Sequence, residues 1–248
     1  ASGRRRMSDI KLEERLITCI ASYLDDCPHI AVGVISPLPG SAAMLAAERQ
    51  GGKVSIIGSD HPKYRCDGGV ELFDQAGQGR ISAFFLSGGQ IDGQANINLH
   101  GVGDYPEMKV RWSGAFGSAY LYFLVPKVIL FRLEHSRRVF PEKVDFISSP
   151  GASAPETHRP GGPHALVTNL CAFRFDKDKR RFRLAPLHQG VTLEEVQDNP
   201  GFAFDLPDEI RQTPEPTAEE LTLIRGDIAQ NIAGPYPKFA RQVFGIAA

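Results

Sequence analysis

Two adjacent glycines and a run of amides with one carboxylate stand in SGGQIDGQANINLHG, residues 87–101. Gly88 and Gly89 carry no Cβ, so their backbone amides can approach a ligand closely. Gln90, Asp92, Asn96 and Asn98 are side chains of the kind that orient a polar substrate. The competing reading is that Asp and Asn here close turns on their own backbone. A second stretch, WSGAFGSAYL at 112–121, sets Ser113, Gly114 and Gly117 behind a strand-like segment. If the apolar element that follows is a helix, its first amides suit an anion or an oxyanion. Close packing of small residues under another element explains the same pattern. SIIGSDHP, residues 55–62, puts Asp60 beside His61. A carboxylate next to an imidazole suits general acid–base or nucleophilic work. Neighbours on an extended chain point opposite ways, however, and Pro62 marks a turn that Asp60 can open. The charged stretch RLEHSRRVFPEKVDF reads as an ion-paired, solvated face, with Arg137 and Arg138 secondary candidates for a carboxylate or phosphate.

These groups need elements to hold them. Residues 9–25 carry Ile10, Leu16, Ile17, Ile20, Ala21 and Leu24 at helical spacing, with Ser8 or Asp9 as cap. HIAVGVIS (29–36) reads as a buried strand, PLPG as a turn, and SAAMLAAERQ as a helix capped by Ser41 and stopped at Gly51-Gly52. KVSIIGSD is the next strand, so 29–60 reads as a βαβ unit with parallel pairing. GVELF and RISAFFL look like strands around a polar turn at 74–79, and MKVRWSG like another. AFGSAYLYFLV is a helix or a buried strand; KVILFRLEH is a strand, and VDFISSPG a short one ending in a turn. The Gly/Pro-rich segment 151–163 is a loop, followed by the hairpin-like ALVTNLCAFRFD and RFRLAPLH. Thr192 caps a short helix, DLPDEIRQTPEP is linker-like, and Thr217 with Glu220 forms a capping box for a last helix. The glycines at 88–89 therefore fall at the carboxyl end of a strand, where open α/β sheets bind ligands.

The expected fold is α/β, an open mixed sheet with flanking helices, running as one domain over 7–248. Residues 185–248 form a C-terminal helical extension packing on the core. Arg4–Arg6 precede Met7, and residues 1–6 read as a tag or disordered lead. A formal charge of −1 argues against non-specific nucleic-acid or membrane-surface binding. Cys19, Cys27, Cys66 and Cys171 lack zinc-ligand spacing, so no metal is expected, and free thiols fit a reducing cytoplasm. No apolar run is long enough to span a membrane.

The motifs also share a pattern. GGQIDGQANIN resembles the G-A-x-Q-I/V-D-x-x-G-N-x-N stretch of the β-type subunit of class I coenzyme A transferases of the glutaconate type. WSGAFGSAYL resembles the Ser-Gly-Gly-Ala segment that comes next there. HSRRVFPEKVDFISSPG, LHQGVTLEEVQDNPGFAF and TAEELTLIRGDI are similar to the stretches that follow in the same order, and VISPLPGSAAMLAA to the first strand-loop-helix. The resemblance spans roughly residues 9–229. It implies that family's open α/β architecture, acyl-CoA thioesters as substrates with no metal, and an α-type partner chain in a heterodimer or dimer of heterodimers. It implies substrate or coenzyme contacts at Gly88, Gly89, Gln90, Asp92, Asn96, Ser113, Gly114 and Gly117.

Departures from the family pattern bear on the chemistry. The family's transferases carry a nucleophilic glutamate after the second strand; here Ser59 or Asp60 aligns with it, and no glutamate occurs between Glu48 and Glu71. Asp60 is the catalytic candidate, with a side chain one methylene shorter. Ala95 replaces a family glycine, and Phe116 interrupts the second glycine run. A branch that hydrolyses steroid-ring CoA thioesters also lacks the β-chain glutamate and relies on one in its α-type chain. The loop ISPLPGSAA is similar to that branch. Three readings follow: a CoA-transferase subunit of the β type, a ring-opening acyl-CoA hydrolase subunit, and a non-catalytic chain that completes a partner's pocket.

Overall fold

Helix α1 (Leu12–Ala21) opens the computed structural model, which describes residues 10–246; β1 (His29–Val32), α2 (Pro37–Gln50), β2 (Lys53–Ile57), β3 (Arg65–Cys66) and α3 (Val70–Gly77) follow. Next come β4 (Ala83–Leu86), β5 (Gln90–Ile91), β6 (Ile97–Asn98), β7 (Gly101–Val102), β8 (Val110–Arg111), α4 (Ser118–Leu124) and β9 (Lys127–Phe131). The chain continues through β10 (Pro163–Val167), β11 (Cys171–Asp176), β12 (Arg181–Leu187), α5 (Leu193–Asp198) and β13 (Arg211–Gln212). It closes on α6 (Ala218–Leu223), a π-helical turn at Ile224–Ile228, α7 (Ala229–Ala233) and α8 (Pro237–Phe244).

Nine strands form one mixed sheet in the order β13-β12-β11-β10-β9-β4-β1-β2-β3. The six strands from β10 to β3 are parallel; β11 runs antiparallel to β10 and β12 antiparallel to β11. The expected βαβ unit is present, with His29 opposite Lys53 and Val32 opposite Ile56. One face of the sheet packs under α1, α2 and the C-terminal helices around Leu16, Ile20, Met44, Ile224 and Ile232. On the other face, Phe84 and Phe173 of the sheet pack with Ile91 of the β5–β6 hairpin, Tyr122 of α4 and Phe140. Tyr236, just before α8, donates its hydroxyl to Gly33 O at 2.9 Å, so the C-terminal segment braces the loop after β1.

Several local expectations need correcting. PLPG is not a separate turn: α2 starts at Pro37, because proline fits the first helical position and the first-turn N–H groups need no intrahelical partner. Ser41 is therefore inside the helix, its hydroxyl bonded to Pro37 O at 2.9 Å. GVELF is not a strand but the start of α3, where Leu72 and Ala76, four apart, share the buried side. MKVRWSG supplies only Val110–Arg111, paired in a ribbon with β7 outside the main sheet. VDFISSPG contributes a single bridge, Ser149 to Ile97. The suggested caps Ser8 and Asp9 lie outside the described residues; α1 instead starts after Lys11, whose N–H donates to Glu14 at 2.9 Å. The caps at Thr192 and Thr217 are as read, each hydroxyl accepting an amide from the residue three further on.

Cys19, Cys27 and Cys171 are buried free thiols, and Cys66 is half-buried. Burial pushes Cys19 up to about 12 and Cys66 up to about 11, so neither is poised as a nucleophile.

Glu14 ties α1 to the C-terminal segment. It is 1% exposed and accepts from Arg225 Nε at 2.5 Å and Nη2 at 2.8 Å. Burial alone would raise its carboxyl, but the Arg225 hydrogen bonds and the Lys11 amide outweigh this and hold it below the ordinary 4.5. A depressed carboxylate stabilises the fold in full above that ordinary value, and the contribution fades as pH falls through the folded-state value. Glu14→Ala is expected to cost about 2–3 kcal/mol in urea unfolding at pH 7. The loss should shrink when the titration is repeated near pH 4.

Candidate active site

The parallel strands deliver four loops to one edge of the sheet: 33–36 after β1, 58–61 after β2, 87–89 after β4 and 132–135 after β9. From β1 the chain moves outward to β2 and β3; from β4 it moves the other way, to β9 and β10. The sheet therefore has a switch point between β1 and β4, where diverging connections leave a crevice. A cleft of about 560 Å³ opens there, walled by Ile35, Leu86, Leu133 and, from α8, Phe239 and Val243. Its polar residues are Glu13, Ser36, Ser87, Arg132, Glu134 and Gln242. Hydrogen bonds from Ser136 and then Arg138 hold the Glu134 carboxyl below its ordinary range. Arg132 lines the same cleft, and its guanidinium makes no hydrogen bond with another described residue.

The two glycine stretches meet beside this edge. A Cβ on Gly89 would lie 2.0 Å from Trp112 Cη2, so the indole ring occupies the space a side chain at this position would need. A Cβ on Gly88 would come within 2.8 Å of Gln90 O. Trp112 N–H donates to His100 O at 2.9 Å, which fixes the start of the 112–117 loop. Ser113 and Gly114 are exposed there. Gly117 has a left-handed φ of 69°, and its missing Cβ leaves room for Phe73 at 2.3 Å. The stretch 118–124 is a helix, but the Ser118 N–H already turns back to Ala115 O.

The polar side chains of the first stretch serve the hairpin. Gln90 Oε1 accepts from Asn98 Nδ2 at 2.7 Å and Asp145 N at 3.0 Å. Asp92 accepts from the Gln94 and Asn96 amides, both at 3.0 Å, and from Asn96 Nδ2 at 3.1 Å. Asn96 Oδ1 accepts from Gly151 N at 3.0 Å. All three are buried; the Asp92 bonds close the turn on its own backbone, while Gln90 and Asn96 tie the hairpin to Asp145 and Gly151. Ala95, standing where the resembling pattern has glycine, keeps the left-handed conformation at φ 60°. Tyr122 Oη holds it by donating to Ala95 O at 2.8 Å.

Asp60 is exposed just past β2 and makes no hydrogen bond with another described residue. His61 does not pair with it: the imidazole Nδ1 accepts from Lys63 N at 3.2 Å and the ring lies 5.1 Å from Tyr64. In the strand order β4-β1-β2, the Asp60 loop and the Gly88–Gly89 loop are two strand spacings apart, about 10 Å. Apolar side chains stand exposed on the same edge, among them Ile35 at 89% and Phe116 at 79%. Sequence reasoning misses the cleft. Arg132 and Glu134 read there as part of a solvated charged face. Helix α8 escapes it too, although Pro237 followed by Phe239, Ala240 and Val243 is a helix-start pattern with helical apolar spacing.

An open mixed sheet with its crevice at the switch point defines the class of α/β proteins that take ligands at the carboxyl ends of their strands. Within it, the chain belongs to the coenzyme A transferase family, whose model, Coenzyme A transferase, matches residues 17–199. The chain is 36% identical over 161 residues to the B-type subunit of the 3-oxoadipate CoA-transferase of Pseudomonas knackmussii, covering 62% of each. It is 30% identical over 152 residues to the B-type subunit of the glutaconate CoA-transferase of Acidaminococcus fermentans, covering 58% of this chain and 56% of that one. The IpdB subunit of the cholesterol ring-cleaving hydrolase of Rhodococcus jostii is 31% identical over 159 residues, covering 62% of each. The crystal structure of Rhodococcus jostii RHA1 IpdAB superposes with a TM-score of 0.75 at 26% identity, covering 88% of this chain and 94% of that one. The chain thus matches about three-fifths of the length of these curated relatives.

Proposed function

We propose that this chain is the β-type half of a heteromeric enzyme that moves coenzyme A between carboxylic acids, acting on acyl-CoA thioesters with an α-type partner. The observation that carries the reading is Asp60, an exposed carboxylate on the edge that also bears the cleft and the glycine loops. The two relatives named as CoA-transferase subunits support it. The exposed apolar side chains of the edge, Val34, Ile35, Leu133 and Phe116, suit burial against the partner chain, in a heterodimer or a dimer of heterodimers.

In the transfer, the Asp60 carboxylate attacks the thioester carbonyl and expels CoA thiolate, leaving a mixed anhydride. The thiolate then attacks the aspartyl carbonyl, releases the donor acid as its carboxylate, and leaves CoA on Asp60 as a thioester. An acceptor carboxylate reverses the two steps. Amides of Gly88 and Gly114 and the Ser113 hydroxyl present donors to the oxyanion, while the Gly89 amide is spent on Asn98 O at 2.9 Å and holds the loop in place. Arg132 fits a carboxylate carried at the far end of the acyl group, which occupies the switch-point cleft. Gln90, Asp92 and Asn96 act by holding the hairpin behind the glycines in shape.

One observation favours a second reading, hydrolysis. No described residue makes a hydrogen bond to the Asp60 carboxylate, and the chain is also similar to an IpdB hydrolase subunit. Water would then be the nucleophile, activated by a carboxylate of the α-type chain. The two readings separate in one assay of the co-purified complex on a panel of acyl-CoAs. Transfer requires acetate or succinate before new acyl-CoA forms, with no net free thiol. Thiol released steadily without an acceptor establishes hydrolysis instead.

A further inference from the structure

At the opposite edge of the sheet, where β10 begins and β11 ends, a cup of about 210 Å³ lies between the 151–161 loop and the 177–180 turn. Arg159, Lys177 and Arg180 line it together with the hydroxyl residues Ser153 and Thr157, and no acidic residue is among its described walls.

Both arginines are placed by built features of the fold. Arg159 donates from Nη1 to Pro150 O at 2.9 Å and from Nη2 to Tyr122 O at 3.0 Å. Its guanidinium lies 5.2 Å from the Tyr122 ring centroid and 5.7 Å from that of Phe123. Its Nε is buried with no hydrogen bond among the described residues. Arg180 sits at a left-handed φ of 52° and reaches across to Ser153 O at 3.3 Å, joining the turn to the loop. The nearby carboxylate of Asp176 is used locally, accepting from the Asp178 and Lys179 amides at 3.0 Å each. Lys177, exposed overall, makes no side-chain hydrogen bond with a described residue, and partial desolvation followed by the Arg159 charge lowers its ammonium below the ordinary range. Burial lowers Arg159 as well.

Three cations lining a cup with no acidic residue among its described walls repel one another, and an anion in the cup removes that cost. A guanidinium fork, an ammonium and two hydroxyls are the donor set that suits tetrahedral phosphate oxygens. The volume falls below that of pockets for drug-sized ligands, so the cup takes a phosphoryl group and leaves the rest of any larger molecule outside. We propose that this cup is a phosphate-binding site, for inorganic phosphate or the phosphomonoester of a nucleotide. The inference is independent of which reaction the other edge performs.

The test is calorimetric titration of the full chain with inorganic phosphate and, separately, adenosine 3′,5′-bisphosphate at constant ionic strength. The exposed variants Lys177→Glu and Arg180→Glu are titrated alongside, with circular dichroism confirming their folding. One-to-one saturable binding of at least one ligand, weakened about tenfold or more in each variant, supports the site. Tighter binding of the bisphosphate assigns it to a nucleotide phosphate; equal or weaker binding assigns it to free phosphate. No saturable binding of either, or binding unchanged in both variants, overturns it.

Discussion

Asp60→Asn is expected to cut CoA transfer by roughly four orders of magnitude or more, the scale on which removal of a covalent nucleophile acts. The amide keeps the size of the side chain and removes its nucleophilic oxygen. Asp60 is exposed and makes no hydrogen bond with another described residue, so the variant should unfold within about 0.5 kcal/mol of the parent. A loss of activity with unchanged stability would therefore lie in the chemistry. Asp60→Glu is the informative companion, because it restores the methylene that the family's transferase nucleophile has. Retained or raised activity in Asp60→Glu, against none in Asp60→Asn, places the reacting carboxylate at this position. Equal, near-parental activity in both moves the carboxylate to the partner and favours hydrolysis.

Gly89→Ala is expected to damage structure and activity together. The added methyl would lie 2.0–2.7 Å from three carbons of the Trp112 ring, far inside contact distance, so the indole has to leave its seat. Overpacking of this kind costs about 1–3 kcal/mol. Trp112 is followed directly by Ser113 and Gly114, so its displacement also carries away the donors assigned to the oxyanion. Trp112 is the sole tryptophan of the chain, which makes the readout direct. Red-shifted emission, a lowered unfolding midpoint and a fall in kcat larger than the rise in KM are the expected results. Unchanged emission with full activity would mean that the two glycine loops are not coupled through this contact.

Much of the fold is legible in the sequence because local rules and tertiary packing agree there. The βαβ unit at 29–57, strand β9 and the caps at Thr192 and Thr217 all follow from apolar runs and short-range hydrogen bonds. The failures have identifiable causes. PLPG carries two prolines and a glycine, the composition of a turn, but proline is equally at home in the first turn of a helix, and α2 uses it so. GVELF alternates over too few residues to distinguish strand from helix, and the helical partner Ala76 lies beyond that stretch.

The site is legible in part, for a different reason. Gly88 and Gly89, in the loop proposed to face the thioester, are marked by residue type, since a side chain at either would meet neighbours closer than 3 Å. Asp92 and Asn96 carry the same polar signature whether they face a ligand or their own backbone, and only the hydrogen bonds separate the two. The cleft has no local signature. Its walls come from Ile35, Leu86, Leu133 and Phe239, residues brought together by a strand order that departs from chain order between β1 and β4. The cationic cup is hidden in the same way, since Arg159 and Lys177 belong to separate loops that meet only once β10 and β11 pair.

The most direct test of the account is to trap the intermediate. The complex of this chain with its α-type partner is incubated with an acyl-CoA and no acceptor, quenched in acid, digested and examined by mass spectrometry over the peptide that contains Asp60. The account predicts that peptide carrying the mass of CoA as a thioester, with the adduct absent from Asp60→Asn and discharged by an acceptor acid. An unmodified Asp60 peptide while free thiol accumulates, or an adduct found only on the partner chain, contradicts it.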